Sequence, residues 1–289
     1  MKNILVSGAS GQLGQEIREL VKDYPQFHFD LMSRDNLDLE SEASIREALK
    51  GKDYHYFINA GAYTGVDKAE SDTATTYAIN GMALYHIANY ISKDCTIIHI
   101  STDYVYNIEK STPLQETDPS QPRNVYASSK LQGEQFVTAM IPRFIILRTS
   151  WVYSKFGKNF VKTMLRLGKD KEELSIVNDE IGTPTYAKNI AVAIMSMISK
   201  MEQKSNSEQL YGIYNYSDEN HTNWADFARY IFRVANIDCK VSNISSEDYG
   251  AKAKRPKWSV LSNEKIKIDY DIIAPTWQES IEECLKLIE

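Results

Sequence analysis

Residues 4–14, I-L-V-S-G-A-S-G-Q-L-G, carry a strand-like run into three glycines, Gly8, Gly11 and Gly14, ahead of an amphipathic stretch. A strand that enters a helix through a turn of small residues lets backbone N–H groups approach a ligand at the helix N-terminus. The helix dipole there favours a pyrophosphate. The spacing G-x-x-G-x-x-G is one residue wider at its start than the common dinucleotide fingerprint. Placed directly after an opening strand, it predicts a nucleotide-binding α/β sheet.

The pattern that follows agrees. Strands are expected over 4–7, 27–32, 56–59, 96–101 and 144–147, and helices over 13–22, 42–49, 73–92 and 126–140. Such alternation gives βαβ units, so the fold class is α/β, a doubly wound parallel sheet of the Rossmann type. After about Trp151 the regularity weakens. Helices are expected over 160–167, 187–201, 224–235 and 277–287, short strands over 174–177 and 211–216, and an exposed loop over 202–208. The expected division is a cofactor domain, residues 1–150, and a smaller, mainly substrate-binding part, residues 151–289, with some segments returning to the sheet.

Composition narrows the function. The chain has 289 residues, 43% hydrophobic, enough for a substantial core, and a formal net charge of −6. That charge argues against broad attraction to nucleic acid or an anionic membrane, while leaving room for a local basic pocket. No stretch approaches the roughly 18 apolar residues of a membrane span, and the N-terminus lacks a signal-peptide layout. Cys95, Cys239 and Cys284 fit neither a disulfide framework nor a zinc site, so reduced thiols in a cytoplasmic protein are expected.

Tyr126-Ala-Ser-Ser-Lys130 puts a phenol and an ammonium one helical turn apart on one face. A nearby cation favours the ionised phenol, so the pair is expected to lower the pKa of Tyr126 and suit it to protonate a carbonyl oxygen as hydride reaches the carbon. The strand before it ends in Ser101-Thr102-Asp103-Tyr104-Val105-Tyr106. Hydroxyls at the C-terminal end of a parallel strand face the ligand crevice. Thr102 or Ser101 could polarise the carbonyl, and strand alternation does not choose between them. His99 reads as a packed strand residue. Near the end of the second strand, Asp30 could bind a free ribose 2′-hydroxyl, whereas Ser33-Arg34 suits a 2′-phosphate; Arg34 tilts the cofactor toward NADPH, with NADH as the alternative.

These residues resemble the dTDP-4-dehydrorhamnose reductases, of the extended short-chain dehydrogenase/reductase superfamily. The resemblance runs nearly end to end: G-A-S-G-Q-L-G at 8–14, N-A-G-A-Y-T-G-V-D-K-A-E at 59–70, S-T-D-Y-V-Y at 101–106 and N-V-Y-A-S-S-K-L-Q-G-E at 124–134. It continues through L-R-T-S-W-V-Y at 147–153, N-F-V-K-T-M-L-R-L at 159–167, G-T-P-T at 182–185 and A-K-R-P-K-W-S-V-L at 253–261. It implies hydride transfer from NADPH or NADH to C4 of dTDP-4-dehydro-β-L-rhamnose, giving dTDP-L-rhamnose for cell-surface polysaccharide.

By position, the resemblance makes Tyr126 the proton donor, Lys130 its partner and holder of the nicotinamide ribose, and Thr102 the carbonyl hydrogen-bond donor. The cofactor would lie along Gly8, Ser10, Gly11, Gln12 and Leu13, then Ser33, Arg34, Asp38 and Leu39, and then Ala60, Gly61, Ala62 and Tyr63. Val66, Asp67, Asp103, Tyr104 and Trp151 would meet the sugar or its nucleotide, with Arg255 as a clamp on the diphosphate. Taken without the resemblance, Asp67 reads as a helix N-terminal carboxylate and Trp151 as a core aromatic. Gly61 stands where many relatives have alanine.

Some relatives bind magnesium through carboxylates at a dimer interface. Glu16 matches one such position, but Lys188 and Leu287 fall at others, and an ammonium there would repel a cation. No metal site is therefore expected, and the oligomeric state is left as monomer or homodimer. The rival activities on this scaffold are a 6-deoxy-L-talose-type ketoreductase, an epimerase or 4,6-dehydratase, and a non-catalytic NADP-binding regulatory subunit. A dehydratase commonly needs an acidic pair after the threonine, and here Tyr104 follows Asp103.

Overall fold

The computed structural model describes residues 1–204 and 208–288. The chain alternates β1 (Lys2–Ser7), α1 (Gln12–Leu20), β2 (Phe27–Met32), α2 (Glu42–Leu49) and β3 (Tyr56–Asn59). Short helices α3 (Val66–Ala69), α4 (Thr73–Tyr77) and α5 (Ala83–Tyr90) lead to β4 (Thr96–Thr102), α6 (Val125–Met140) and β5 (Phe144–Thr149). Then follow β6 (Val152–Tyr153), α7 (Phe160–Asp170), β7 (Glu173–Val177), β8 (Ile181–Gly182), β9 (Thr185–Tyr186) and α8 (Ala187–Gln203). The chain closes with β10 (Gly212–Asn215), β11 (Thr222–Asn223), α9 (Trp224–Val234), β12 (Lys240–Ile244), α10 (Ser246–Tyr249), α11 (Glu264–Tyr270) and α12 (Trp277–Leu285).

Helix starts follow local chemistry. Asn124, Asn159 and Asn223 each cap a helix by accepting from the backbone three residues on, and Thr276 forms a reciprocal capping box with Glu279. Two expectations need correction. The helix expected over 73–92 is broken by a π-helical turn at Ala78–Met82. The turn carries Asn80, whose side chain accepts from the Tyr63 N–H at 2.8 Å and donates to the Tyr63 carbonyl at 3.0 Å, so a local interruption serves a distant loop. The loop expected over 202–208 starts later, because Glu202 and Gln203 finish α8; residues 205–207 lie outside the described ones.

The main sheet has the order β10-β5-β4-β3-β1-β2, and every neighbouring pair is parallel. Helices on both faces explain why β3 and the end of β1 are buried on alternate and successive residues alike. The strand order reverses at β1 and β3, and ligands of such sheets bind in the crevice beyond the strand ends there. β10, from the second half of the chain, completes the sheet edge, and α8 packs on α1. A separate core of Tyr153, Tyr186, Phe227 and Trp277 holds α7, α9 and α12 together. Among the described residues no helix is long and apolar enough to cross a membrane. Cys95 and Cys284 are buried, Cys239 is half-buried, and none is paired.

Candidate active site

The turn after β1 is shaped by close backbone approach. Gly8 has φ +67°, and a Cβ there would meet the Gly61 nitrogen and Ala60 carbonyl carbon at 2.7 and 2.8 Å. Gly14 packs so tightly that a Cβ would fall 2.3 Å from the Gly8 oxygen. Gly11 begins α1 without a side-chain cap, so the helix end relies on its own backbone and leaves N–H groups available to an anion. A dinucleotide pyrophosphate fits this cradle, and a side chain would fill it.

Beyond the strand ends lies a cleft of about 660 Å3, within the usual size for a small-molecule site. Its wall brings together Gly8, Ser10, Gly11, Gln12, Leu13, Arg34, Asp38, Leu39, Ala60, Gly61 and Ala62 on the cofactor side. Val66, Thr102, Asp103, Tyr104, Tyr126, Lys130 and Trp151 join it on the other. Four predicted residues are not part of that wall. Ser33 sits in the turn after β2, its carbonyl accepting from Asn36 and Leu37. Tyr63 is drawn away by its hydroxyl, which donates to Asp72 at 3.0 Å. Asp67 and Arg255 are spent on each other: the guanidinium donates to the carboxylate at 2.6 Å, and the Ala253 N–H adds a second bond at 3.1 Å. Arg34 reaches the cleft edge but is held by Glu40 at 3.0 Å and Asp38 at 3.5 Å.

The candidate reactive groups sit on β4 and α6. Geometry places the hydroxyls of Ser101 and Thr102 differently. Ser101 donates to the buried carboxylate of Glu134 at 2.5 Å, and Glu134 is gripped by Arg148 at 2.5 and 3.0 Å. Thr102 instead faces the phenol of Tyr126, whose hydrogen bond with it favours the ionised form. Burial outweighs that bond, and the nearby Asp103 adds to it, so Tyr126 is pushed up to about 12. This corrects the expectation of a lowered value. The ammonium of Lys130 does not face the phenol: it donates to the Ile100 carbonyl at 2.6 Å and lies 3.3 Å from His99 Nε2. Burial brings Lys130 down to about 8, opposed by Glu134. The phenol therefore holds its proton at neutral pH, the state a general acid needs.

Asp103, beside Thr102, is pushed up to about 7 by burial despite hydrogen bonds from Ser259 and Thr102, and its Oδ2 has no partner. Tyr104 meets Tyr126 edge to face, with ring centroids 5.9 Å apart. Trp151 adopts φ +44°, a left-handed backbone that is costly for a tryptophan. Its indole stacks on that of Trp224 at 3.4 Å, and Trp224 Nε1 donates to the buried Glu180 at 3.1 Å.

Sequence reasoning missed Trp224, and also Lys158 and Asn159, which close the cleft over the glycine turn, Asn159 donating to Gln12 at 2.8 Å. An asparagine ahead of an amphipathic run was a legible helix start, but its contact 147 residues away was not. Arg148 was legible in principle: a charge inside the apolar run F-I-I-L-R-T demands a buried partner. Glu16 is buried and accepts from Ser154 at 2.6 Å, Lys188 pairs with Glu283, and Leu287 is half-exposed. Among the described residues no group of three or more His, Cys, Asp or Glu is arranged to hold a metal.

The family described as RmlD substrate binding domain matches residues 1–289. The dTDP-4-dehydrorhamnose reductase of Sinorhizobium fredii is 36% identical over 282 residues, covering 96% of this chain and 94% of that one. A crystal structure of a dTDP-4-dehydrorhamnose reductase from Clostridium acetobutylicum superimposes with a TM-score of 0.92 at 35% identity, covering 99% of each chain. That of the Bacillus anthracis dTDP-4-dehydrorhamnose reductase, in complex with NADP, gives 0.91 at 35% identity over 99% of this chain and 100% of the other.

Proposed function

The chain belongs to the dTDP-4-dehydrorhamnose reductase family, and on that premise we propose that it reduces the C4 ketone of dTDP-4-dehydro-β-L-rhamnose to give dTDP-L-rhamnose. The cofactor is NADPH, which supplies the hydride when bound. One observation carries the reading: a protonated, buried Tyr126 beside the Thr102 hydroxyl at the strand ends of a dinucleotide crevice.

Residues 1–150 hold the cofactor through the Gly8 turn, the 33–39 segment and the backbone after β3, and residues 151–289 supply most of the lid over the sugar. Thr102 donates a hydrogen bond to the C4 oxygen, and Tyr126 delivers the proton that oxygen needs as its charge develops. Lys130, one turn from Tyr126 and in the cleft wall, is the cation that favours the phenolate left behind once its ammonium leaves the Ile100 carbonyl and turns to the crevice and the nicotinamide ribose. Trp151 offers a flat face to the sugar, and Asp103 an acceptor for one of its hydroxyls. Arg255 is the clamp on the diphosphate once it exchanges Asp67 for the phosphates. The enzyme acts in the cytoplasm, where its nucleotide-sugar substrate and reduced cofactor are found.

Supplying dTDP-4-dehydrorhamnose and NADPH and identifying the product tests the reading. One NADPH consumed per dTDP-L-rhamnose formed is expected. The 6-deoxy-L-talose product would redirect the stereochemistry, and turnover without net oxidation would replace the reductase with an epimerase.

A further inference from the structure

Behind Lys130 runs a buried polar chain that the mechanism above does not use. Lys130 Nζ lies 3.3 Å from His99 Nε2, His99 Nδ1 lies 3.1 Å from Asn59 Nδ2, and Ser7 Oγ donates to Asn59 Oδ1 at 2.6 Å. The Gly61 N–H, in the backbone that lines the cleft, reaches Ser7 Oγ at 3.4 Å. Ser7, Asn59, His99 and Lys130 are each 2% exposed or less. Four groups from β1, β3, β4 and α6 thus meet where water cannot repair a missing bond, so donors and acceptors must match along the whole chain.

Matching admits two states. An ammonium only donates, and a neutral imidazole carries one N–H. With Lys130 charged, His99 Nε2 must accept, Nδ1–H donates, the oxygen of Asn59 turns toward His99, and its amide donates to Ser7. With Lys130 neutral, the amine gains a lone pair and every bond can reverse: Nε2–H donates to the amine, Nδ1 accepts from Asn59 Nδ2, and Asn59 Oδ1 accepts from Ser7. The heavy-atom spacings along the chain serve both states, which differ in a half-turn of the Asn59 carboxamide and in the tautomer of His99. Burial and the neighbouring Lys130 hold His99 well below its ordinary range, so the imidazole stays neutral in both states. A carboxamide does not pass protons along, so the chain is a reversible array of dipoles and not a proton path.

We propose that His99 is a positioning residue for Lys130: with Asn59 and Ser7 it forms a dipole array whose direction is coupled to the charge of Lys130 and so sets the pH at which that charge is lost. The charged and titratable groups around Lys130 are Tyr126 and Glu134 from its own helix, His99 from β4, and Asp103, which faces Tyr126 from the turn after β4; Arg148 from β5 is paired with Glu134. The link to catalysis rests on reading Lys130 as the partner of Tyr126; the coupling itself does not.

The test is a pH titration of the full chain labelled with 13C at lysine Cε, followed by NMR, with the Lys130 signal assigned by its loss in Lys130→Met. Asn59→Asp places an acceptor-only group against His99 Nδ1, which favours the state with charged Lys130, and the midpoint should rise by about one pH unit. His99→Gln keeps a partner for Lys130 but has no second ring nitrogen for Asn59, so it cuts the rest of the array from the lysine. In its background the effect of Asn59→Asp should fall to less than half. Equal shifts in the two backgrounds would mean simple charge attraction and overturn the coupling, as would no shift at all. Should Asn59→Asp fail to fold, His99→Leu decides: it removes the stronger, ion-accepting bond, so the midpoint falls by about one pH unit, and an unchanged midpoint overturns the proposal. The alkaline limb of kcat/KM, measured on the same proteins, should follow the NMR midpoints. Shifted midpoints with an unmoved limb would uphold the array and remove Lys130 from the mechanism.

Discussion

On the sheet side of the cleft, Thr102, Asp103 and Tyr126 stand at the end of a strand paired on both sides and on the first turn of a long helix. On the opposite side, Trp151 and Asn159, and Arg255 outside the wall, are held by side chains: an indole stack on Trp224, an amide bond to Gln12 and an ion pair with Asp67. The first arrangement fixes atoms through backbone that cannot shift without breaking the sheet. The second can exchange one partner for another. Chemistry that needs a proton delivered to one oxygen belongs on the rigid side, and grip on a substrate that must enter and leave belongs on the exchangeable one.

This contrast can be broken by variants that separate stability, turnover and affinity. Arg148→Met leaves the buried carboxylate of Glu134 without its cation, and urea unfolding should show a loss of about 3–5 kcal/mol; a loss below about 1 kcal/mol would mean that the pair does not hold the rigid side together. Tyr126→Phe should lower kcat by roughly 10²-fold or more while NADPH binding, followed by fluorescence, stays within twofold. Arg255→Ala should act the other way, raising KM by about tenfold with kcat little changed. A fall in kcat alone would place Arg255 with the chemistry. Arg34→Ala, at an exposed position already shared with Asp38 and Glu40, should weaken NADPH by about fivefold and leave NADH untouched; equal losses would reject contact with the 2′-phosphate.

The same contrast explains what could be read from residue order. The strands at 27–32 and 56–59 were placed to the residue, and β1, β4 and β5 nearly so, because each is a β-branched or aromatic run between turn signals. Tyr126, Lys130 and the glycine turn lie in contiguous motifs whose geometry is local. The parallel pairing of β12 with β7 and the helices α10 and α11 were not read, since they are short and depend on tertiary contacts. The partners that decide behaviour are remote: Glu134 chooses Thr102 over Ser101, and Ile100 and His99 turn Lys130 away from Tyr126. Local sequence named the tyrosine and the lysine; burial decided their protonation.

Hydride delivery to a single carbon is the central claim, and an isotope tests it most directly. NADPH carrying deuterium at both C4 positions of the nicotinamide would be given to the enzyme with dTDP-4-dehydrorhamnose in one turnover, and the product examined by NMR. One deuterium at C4 of the dTDP-L-rhamnose is the predicted result. Product with hydrogen at C4, or label at another carbon, would contradict a ketone held between Thr102, Tyr126 and the dinucleotide crevice.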